Sequence, residues 1–429
     1  MVDLLQFELS ACEHKVPDQV IITVPVKIIQ KIYQHSLFLQ QESTGMVGFN
    51  QHRAPIGYLD NYYKEHIISH IKEFLFKYTV MSFLYKKLRE EHVITIGEPR
   101  LTNINLSPEE NAQYYFRFTP AKNTLVRDWR YLPFKAPTRK KYKDIDKQAI
   151  SFIAEERKNK EKCKEEITAG DWVRFEASLL NHQKKPLIKD LSEHLWLQIS
   201  NEETSEPFRN LFIGKKVGDR FISDHICLRD YFGCQLDTHY LFEIFIEKVL
   251  PYTYFCLDSF KEQFRLKSER KAHEKIVEVY SFRNDLSLRR AMIEEAFALL
   301  NRTYQVEVPE SAILRQEKIL LEELQMNPDY AVYKVQSDFN CKVRLLAEKQ
   351  IRQHLMTDYF SLQENITVEE QDVDNYLNLT KRPRTKEFIH FLHPAIRANE
   401  EELPISDESL KQLCAKEKTI NHILYHLTK

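Results

Sequence analysis

Hydrophobic and polar positions along the chain first separate into a strand and two helices. Residues 20–24 read Val-Ile-Ile-Thr-Val, a β-branched run closed by Pro25, which predicts a strand. Apolar positions then fall at Ile28, Ile29, Ile32, Tyr33 and Leu37, a three-and-four spacing that predicts a helix over residues 26–41. A longer stripe through Ile67, Ile71, Phe74, Tyr78, Met81, Leu84 and Leu88 predicts a helix over residues 57–89 with one face packed on a sheet. Residues 97–106 and 112–120 read as two further strands around a turn at 107–110. The order β-α-loop-α-β-β makes an N-terminal α+β head.

The pattern changes twice more. Residues 135–166 are polar and charged, which predicts a linker carrying one amphipathic helix at 144–157. Residues 167–251 turn to strand spacing and predict a small sheet domain. Beyond residue 258 the spacing is helical over 286–301, 309–325, 340–359, 368–380 and parts of 386–429, with turn signals at Asn327-Pro328, Arg382-Pro383 and Leu403-Pro404. Thr367 followed by Glu370 reads as a capping box. The expected fold is therefore α+β and multidomain, with boundaries at 1–134 (head), 135–166 (linker), 167–255 (sheet domain) and 256–429 (all-α body).

Composition narrows the classes. At 429 residues, 29% charged and 43% hydrophobic, the chain is globular rather than disordered. A net charge of -1 gives no global electrostatic reason to expect DNA or a membrane surface as partner. The seven cysteines are odd in number and form no C-x-x-C pair, so neither a zinc site nor a disulfide framework is expected. The N-terminus has no basic region followed by an apolar core, and no run reaches the roughly 18 apolar residues of a membrane helix. The expectation is a cytoplasmic protein. It carries no G-x-x-x-x-G-K-[ST] loop and no cofactor signature, so its action is expected to be independent of ATP.

Three stretches carry a resemblance. Gly48-Phe49-Asn50-Gln51-His52-Arg53-Ala54-Pro55 lies between the two head helices, residues 213–233 read IGKKVGDRFISDHICLRDYFG, and residues 299–324 read LLNRTYQVEVPESAILRQEKILLEEL. Their order and spacing resemble trigger factor, the ribosome-associated chaperone family. That resemblance implies a ribosome-binding head, an FKBP-type prolyl-isomerase-like sheet domain and a helical chaperone body. It also implies binding at the polypeptide exit of the large ribosomal subunit through Phe49, Asn50, Gln51, His52 and Arg53. Nascent or unfolded polypeptides would be the clients, a homodimer the state of the free protein, and cell division a linked process. The chain departs from the family loop at Asn50, where the family has Arg, and at His52, where it has a second Gly.

A Phe at a glycine-led turn costs about 1.5–3 kcal/mol to leave in water, so it either folds back on its own hairpin or anchors in a partner. For the sheet domain, the resemblance implies an apolar cup for the prolyl ring formed by Tyr231 and Phe242, with Phe208, Phe212 and Ile213 as floor. Such a cup needs no metal or nucleophile, because desolvating the amide weakens its double-bond character. The family's aromatic-Thr-Gly is replaced here by Ala177-Ser178-Leu179, so the aromatic residues are read equally well as core. A stand-alone prolyl isomerase and a non-catalytic interaction protein remain alternatives to the chaperone. His390 and His393, three apart, lack a third nearby ligand for a metal.

Overall fold

The computed structural model describes residues 4–11, 18–43, 48–50, 52–121, 126–136, 166–200, 206–233, 240–251, 267–268, 270–271, 286–304, 306–325, 329–380, 397–398 and 401–428. The expected linker helix at 144–157, Gln51, and the pair His390 and His393 lie outside the described residues.

The head begins with strand β1 (Gln6–Ser10), which pairs antiparallel with β2 (Gln19–Val24). Helix α1 (Val26–Ser43) follows, and after the loop comes α2 (Ile56–Leu75). The single long helix expected there is interrupted: Phe76–Val80 form a π-helical turn before α3 (Met81–Glu90). Strands β3 (Arg100–Asn105) and β4 (Ala112–Arg117) complete a four-stranded antiparallel sheet in the order β1-β2-β4-β3. Alternation dictates its packing: Val20, Ile22 and Val24 on β2 and Ala112, Tyr114 and Phe116 on β4 point to one buried face. The helices cover that face.

The second sheet is built from β5 (Trp172–Leu180), β6 (Glu193–Gln198), β7 (Arg220–Ser223) and β8 (Leu241–Leu250). Two short helices, α4 (Glu206–Phe212) and α5 (Ile226–Tyr231), lie between β6 and β8. The sheet's order is closed from far along the chain. After α6 (Leu286–Tyr304), α7 (Glu310–Gln325), α8 (Tyr330–Lys334), α9 (Phe339–Gln363) and α10 (Glu370–Thr380) come a two-residue hairpin, β9 (Arg397–Ala398) and β10 (Glu401–Glu402), and then β11 (Ile405–Ser406). β11 pairs antiparallel with β6, giving the order β11-β6-β5-β8-β7. Helix α11 (Asp407–Leu427) then ends the described chain, its first turn capped by the Ser406 hydroxyl accepting from the Ser409 amide at 3.3 Å.

The second sheet is covered on both faces. Val173, Phe175, Ala177 and Leu179 of β5 share one core with the head helices. Trp172, Trp196 and Leu250 point the other way, into a core with Val373, Tyr376 and Leu377 of α10 and Leu410 and Cys414 of α11. That second contact is also polar: the Trp196 indole donates to the Asp407 carboxylate at 2.9 Å, and Lys248 donates to Asp374 at 2.7 Å. A third core joins Ile96, Val126 and Trp129 at the end of the head to α6, α7, α9 and α11. The Thr367 capping box does not form; instead the Glu369 amide donates to the Asp372 carboxylate at 2.9 Å, and the helix starts at Glu370.

Candidate functional site

The loop between α1 and α2 is tied to both helices at its exit. The Gln41 side-chain amide donates to the Ala54 carbonyl at 2.7 Å, Ala54 is buried, and Pro55 enters α2 with extended backbone. The Tyr33 hydroxyl donates to Asp60 at 2.5 Å and ties the two helices just behind the loop. Burial and the Asp60 carboxylate push that hydroxyl's pKa up. The tip turns at Gly48, φ +93°, and closes where the Arg53 amide donates to the Asn50 carbonyl at 3.0 Å. His52 takes φ +62°, a left-handed position where a residue with a side chain costs about 1 kcal/mol.

Phe49 does not fold away. It is 37% exposed, and its ring lies 5.1 Å from that of Tyr58, itself 44% exposed on the first turn of α2. Tyr58 is 6.3 Å from Tyr62 with planes 7° apart, and Tyr62, 62% exposed, meets Tyr63 edge-on at 4.9 Å. With exposed Ile56 this makes a ladder of rings along the tip of the head, flanked by exposed Asn50, His52 and Arg53. The His52 ring stands 3.8 Å from Glu42. Tyr58 and Tyr62 were not singled out from sequence; their i, i+4 spacing on an outward face was the signal available.

The sheet's inner face gathers most of the predicted cup residues, but not as an open cup. Phe208, Phe212 and Phe242 are buried. Phe212 packs on Phe175 at 4.8 Å, toward one end of the face. Phe242 stacks at 5.1 Å on Phe232, a residue that sequence reading passed over in favour of its neighbour Tyr231. Tyr231 is half-buried and edge-on to Phe232 at 5.0 Å, and burial raises its hydroxyl pKa. Ile213 departs from the expectation: it follows the end of α4, is 46% exposed and lies outside the buried ring cluster, because the chain turns away at Gly214, φ +77°.

What fills the face is the head. Phe74 and Tyr78, stacked at 4.9 Å, reach Phe232 at 6.2 and 5.2 Å, and Phe74 meets Tyr240 edge-on at 5.2 Å. The Tyr78 hydroxyl accepts from the Leu179 amide at 3.1 Å and lies 3.1 Å from the Ala177 and Leu191 carbonyls, which accept its proton. Ser36 and Tyr240 share a hydroxyl–hydroxyl bond of 2.6 Å. Buried His35 and His70 flank Tyr240, and burial lowers both to about 4. At the rim, the Ser82 hydroxyl donates to Glu193, whose carboxyl is pushed up to about 8 by burial and by the nearby Glu408 and Asp407 carboxylates.

Among the described residues no cluster of His, Cys, Asp and Glu is arranged to hold a metal ion, and no helix is long and apolar enough to cross a membrane.

Fold and surfaces define a mixed α/β chain with two main antiparallel sheets, a helical C-terminal portion and exposed rings beside the α1–α2 loop. The chain matches no known protein-family profile and no curated protein. A solved structure described as "Promiscuous Substrate Recognition in Folding and Assembly Activities of the Trigger Factor Chaperone" aligns over 98% of this chain and 100% of its own, at 15% identity and a TM-score of 0.37.

Proposed function

We propose that the chain is an ATP-independent chaperone that docks at the polypeptide exit of the large ribosomal subunit through the Phe49 loop and holds newly made polypeptides on its helical body. The exposed ladder Phe49–Tyr58–Tyr62 is the observation that carries this reading. Phe49 on the loop and Tyr58 and Tyr62 on α2 leave ring surface in water next to a loop exit tied by Gln41 to the Ala54 carbonyl, which suits them as anchors for a partner. Arg53 and His52 beside them supply donors for phosphate or carboxylate groups.

The client surface belongs on the body. Bonds between Glu310 and Arg344 at 2.6 Å and between Gln316 and Gln350 at 2.9 Å hold α7 beside α9. Between those ties in sequence stand exposed Leu314 and exposed Leu345 and Leu346, with exposed Val332 and Val335 in and after α8. Apolar side chains on a charged background suit weak, multi-site capture of unfolded segments. The resemblance in the loop at 48–55 and the segment at 299–324 supports the same reading. A stand-alone prolyl isomerase is less well supported, because the aromatic sheet face is covered by the head.

Co-sedimentation with vacant large ribosomal subunits at physiological salt tests the proposal. Wild type is expected in the pellet and Phe49→Ala in the supernatant; a wild-type protein that never pellets overturns it.

A further inference from the structure

Strand β7 (Arg220–Ser223) ends the five-stranded sheet with one long side unpaired: among the described residues it pairs with β8 alone. Its backbone groups sort by alternation. The Ile246 amide donates to the Asp219 carbonyl at 3.0 Å, and the Gly218 amide, at φ +90°, donates to the Ile246 carbonyl at 2.8 Å, a glycine bulge that opens the strand. From there positions 219, 221 and 223 turn their amides and carbonyls to β8, while 220, 222 and 224 turn theirs to the open side. The side chains at these open positions share one face, and Arg220, Ile222 and Asp224 are all exposed, Ile222 by 42%. Val217 and Ile226, each 55% exposed, stand at the two ends. Phe221 packs on the core instead, and Ser223 is buried.

Exposed edges are ordinarily kept from pairing by charge. The charges on this edge are opposite in sign and stand equally far on either side of Ile222, so they attract when the strand meets itself. We propose that β7 pairs antiparallel with β7 of a second copy about a two-fold axis at Ile222, joining two five-stranded sheets into one. In that register Ile222 faces Ile222 and Arg220 faces Asp224. Each facing pair brings open-side groups together and exchanges both N–H···O bonds. Ile226 of each copy reaches the Gly218 bulge of the other, beside Val217. A shift by one residue opposes open-side groups to groups already bonded to β8. A shift by two leaves Arg220 opposite Ile222 or Ile226, and Asp224 opposite Gly218 or Ile222. Asp224 makes no hydrogen bond or ion pair among the described residues. Arg220 donates to Glu243 at 3.2 Å and lies over the Phe245 ring at 4.1 Å, and its five donors leave room for a second carboxylate. The interface is set by the strand's own charges and alternation, and the Phe49 loop takes no part in it.

So short an edge buries less area than a permanent dimer does, so the association is expected to be reversible, with a dissociation constant on the order of 10–100 μM. Sedimentation velocity of the full chain over concentrations spanning that value reads it. Asp224→Arg and Arg220→Asp each set like charges face to face and are expected to weaken self-association at least tenfold. Mixed in equal amounts, the two variants are expected to associate with each other at wild-type strength, because every facing pair is then opposite in sign. A contact elsewhere on the surface would gain nothing from mixing. Ile222→Lys changes an exposed side chain only and is expected to be monomeric throughout; with Asp224→Arg it carries the test if Arg220→Asp loses its fold along with the Glu243 bond. Three results overturn the proposal: wild type that is monomeric at every concentration, variants that associate as wild type does, or a mixture that stays apart although circular dichroism shows both variants folded. A monomeric wild type that binds an extended unfolded polypeptide, with binding lost in Ile222→Lys, belongs to the first of these and assigns the edge to clients. Large-subunit co-sedimentation is expected to be the same in all three variants as in wild type, so this proposal and ribosome docking fail separately.

Discussion

Tyr78 reaches across from the head to accept a hydrogen bond from the Leu179 amide at 3.1 Å, and in doing so makes one core out of two sheets. A buried hydroxyl with three partners is stabilising only while all three are present, because each one lost leaves a buried polar group unsatisfied. The rings of the second sheet are core residues because Phe74, Tyr78 and the other buried head residues pack over them.

Truncating the tip separates docking from folding. Phe49→Ala, Tyr58→Ala and Tyr62→Ala remove exposed rings, so each is expected to leave the thermal midpoint within about 1 °C of wild type. The Phe49 and Tyr58 variants are expected to weaken large-subunit affinity at least tenfold, as removal of an aromatic anchor does elsewhere. Paired melting and co-sedimentation measurements check this; loss of both properties together would mean that the ladder is structural.

Client holding is expected to depend on the α7–α9 surface and not on the loop. Leu345→Ser with Leu346→Ser should reduce suppression of aggregation of an unfolded test protein by several-fold while ribosome binding stays at the wild-type level. Light scattering during refolding reads the first and co-sedimentation the second.

Acid should loosen the joint between head and second sheet. His35 and His70 are held at about 4 in the fold against 6.5 when unfolded. Between those values the unfolded chain binds protons that the folded chain refuses, so stability is fully present above pH 6.5 and is lost as pH falls toward 4. Each histidine is worth up to roughly 3 kcal/mol over that window. Urea midpoints from pH 7 to pH 5 are expected to fall in wild type and to fall less in His70→Gln.

Glu193 works in the opposite direction. Its carboxyl is raised to about 8 in the fold, chiefly by burial, against an ordinary 4.5. The folded chain holds a proton that the unfolded chain has released, so stability contributed by this group declines as pH rises from about 4.5 to 8. Glu193→Gln keeps an acceptor for the Ser82 hydroxyl and removes the charge. The variant is expected to gain a few kcal/mol at pH 8, with little change at pH 5, in denaturant titrations at the two pH values.

Gly233→Ala tests the close approach from the sheet side. Positive φ alone costs about 1 kcal/mol for a residue with a side chain, and contact with Glu73 adds to it. The double variant with Glu73→Ala is expected to recover the contact part only. Equal losses in the single and double variants would mean that Glu73 simply swings aside.

Much of the architecture was legible in the chain, and specific signals made it so. The β-branched run before Pro25, the stripes at 26–41 and 57–89 and the helices at 286–301 and 309–325 each appear close to where spacing put them, because period-2 and period-3.6 patterns report which face is buried. Strand β1 was missed, its alternation being weak: every residue in it is partly or fully exposed. The π turn was missed because one extra residue in a turn leaves the apolar stripe almost unchanged.

What the sequence by itself determined is the succession of elements and the turn that places Phe49 at a loop tip, for these depend on residues near one another along the chain. Which partner each apolar face meets was decided only by tertiary structure. Phe242 reads the same whether a prolyl ring, a neighbouring strand or Phe232 beneath the head covers it, since burial is non-directional and an aromatic ring is equally at home in all three. The pairing of Ile405 with Trp196, more than two hundred positions apart in the chain, is likewise written in no local pattern: a two-residue edge strand is selected by the sheet edge it finds.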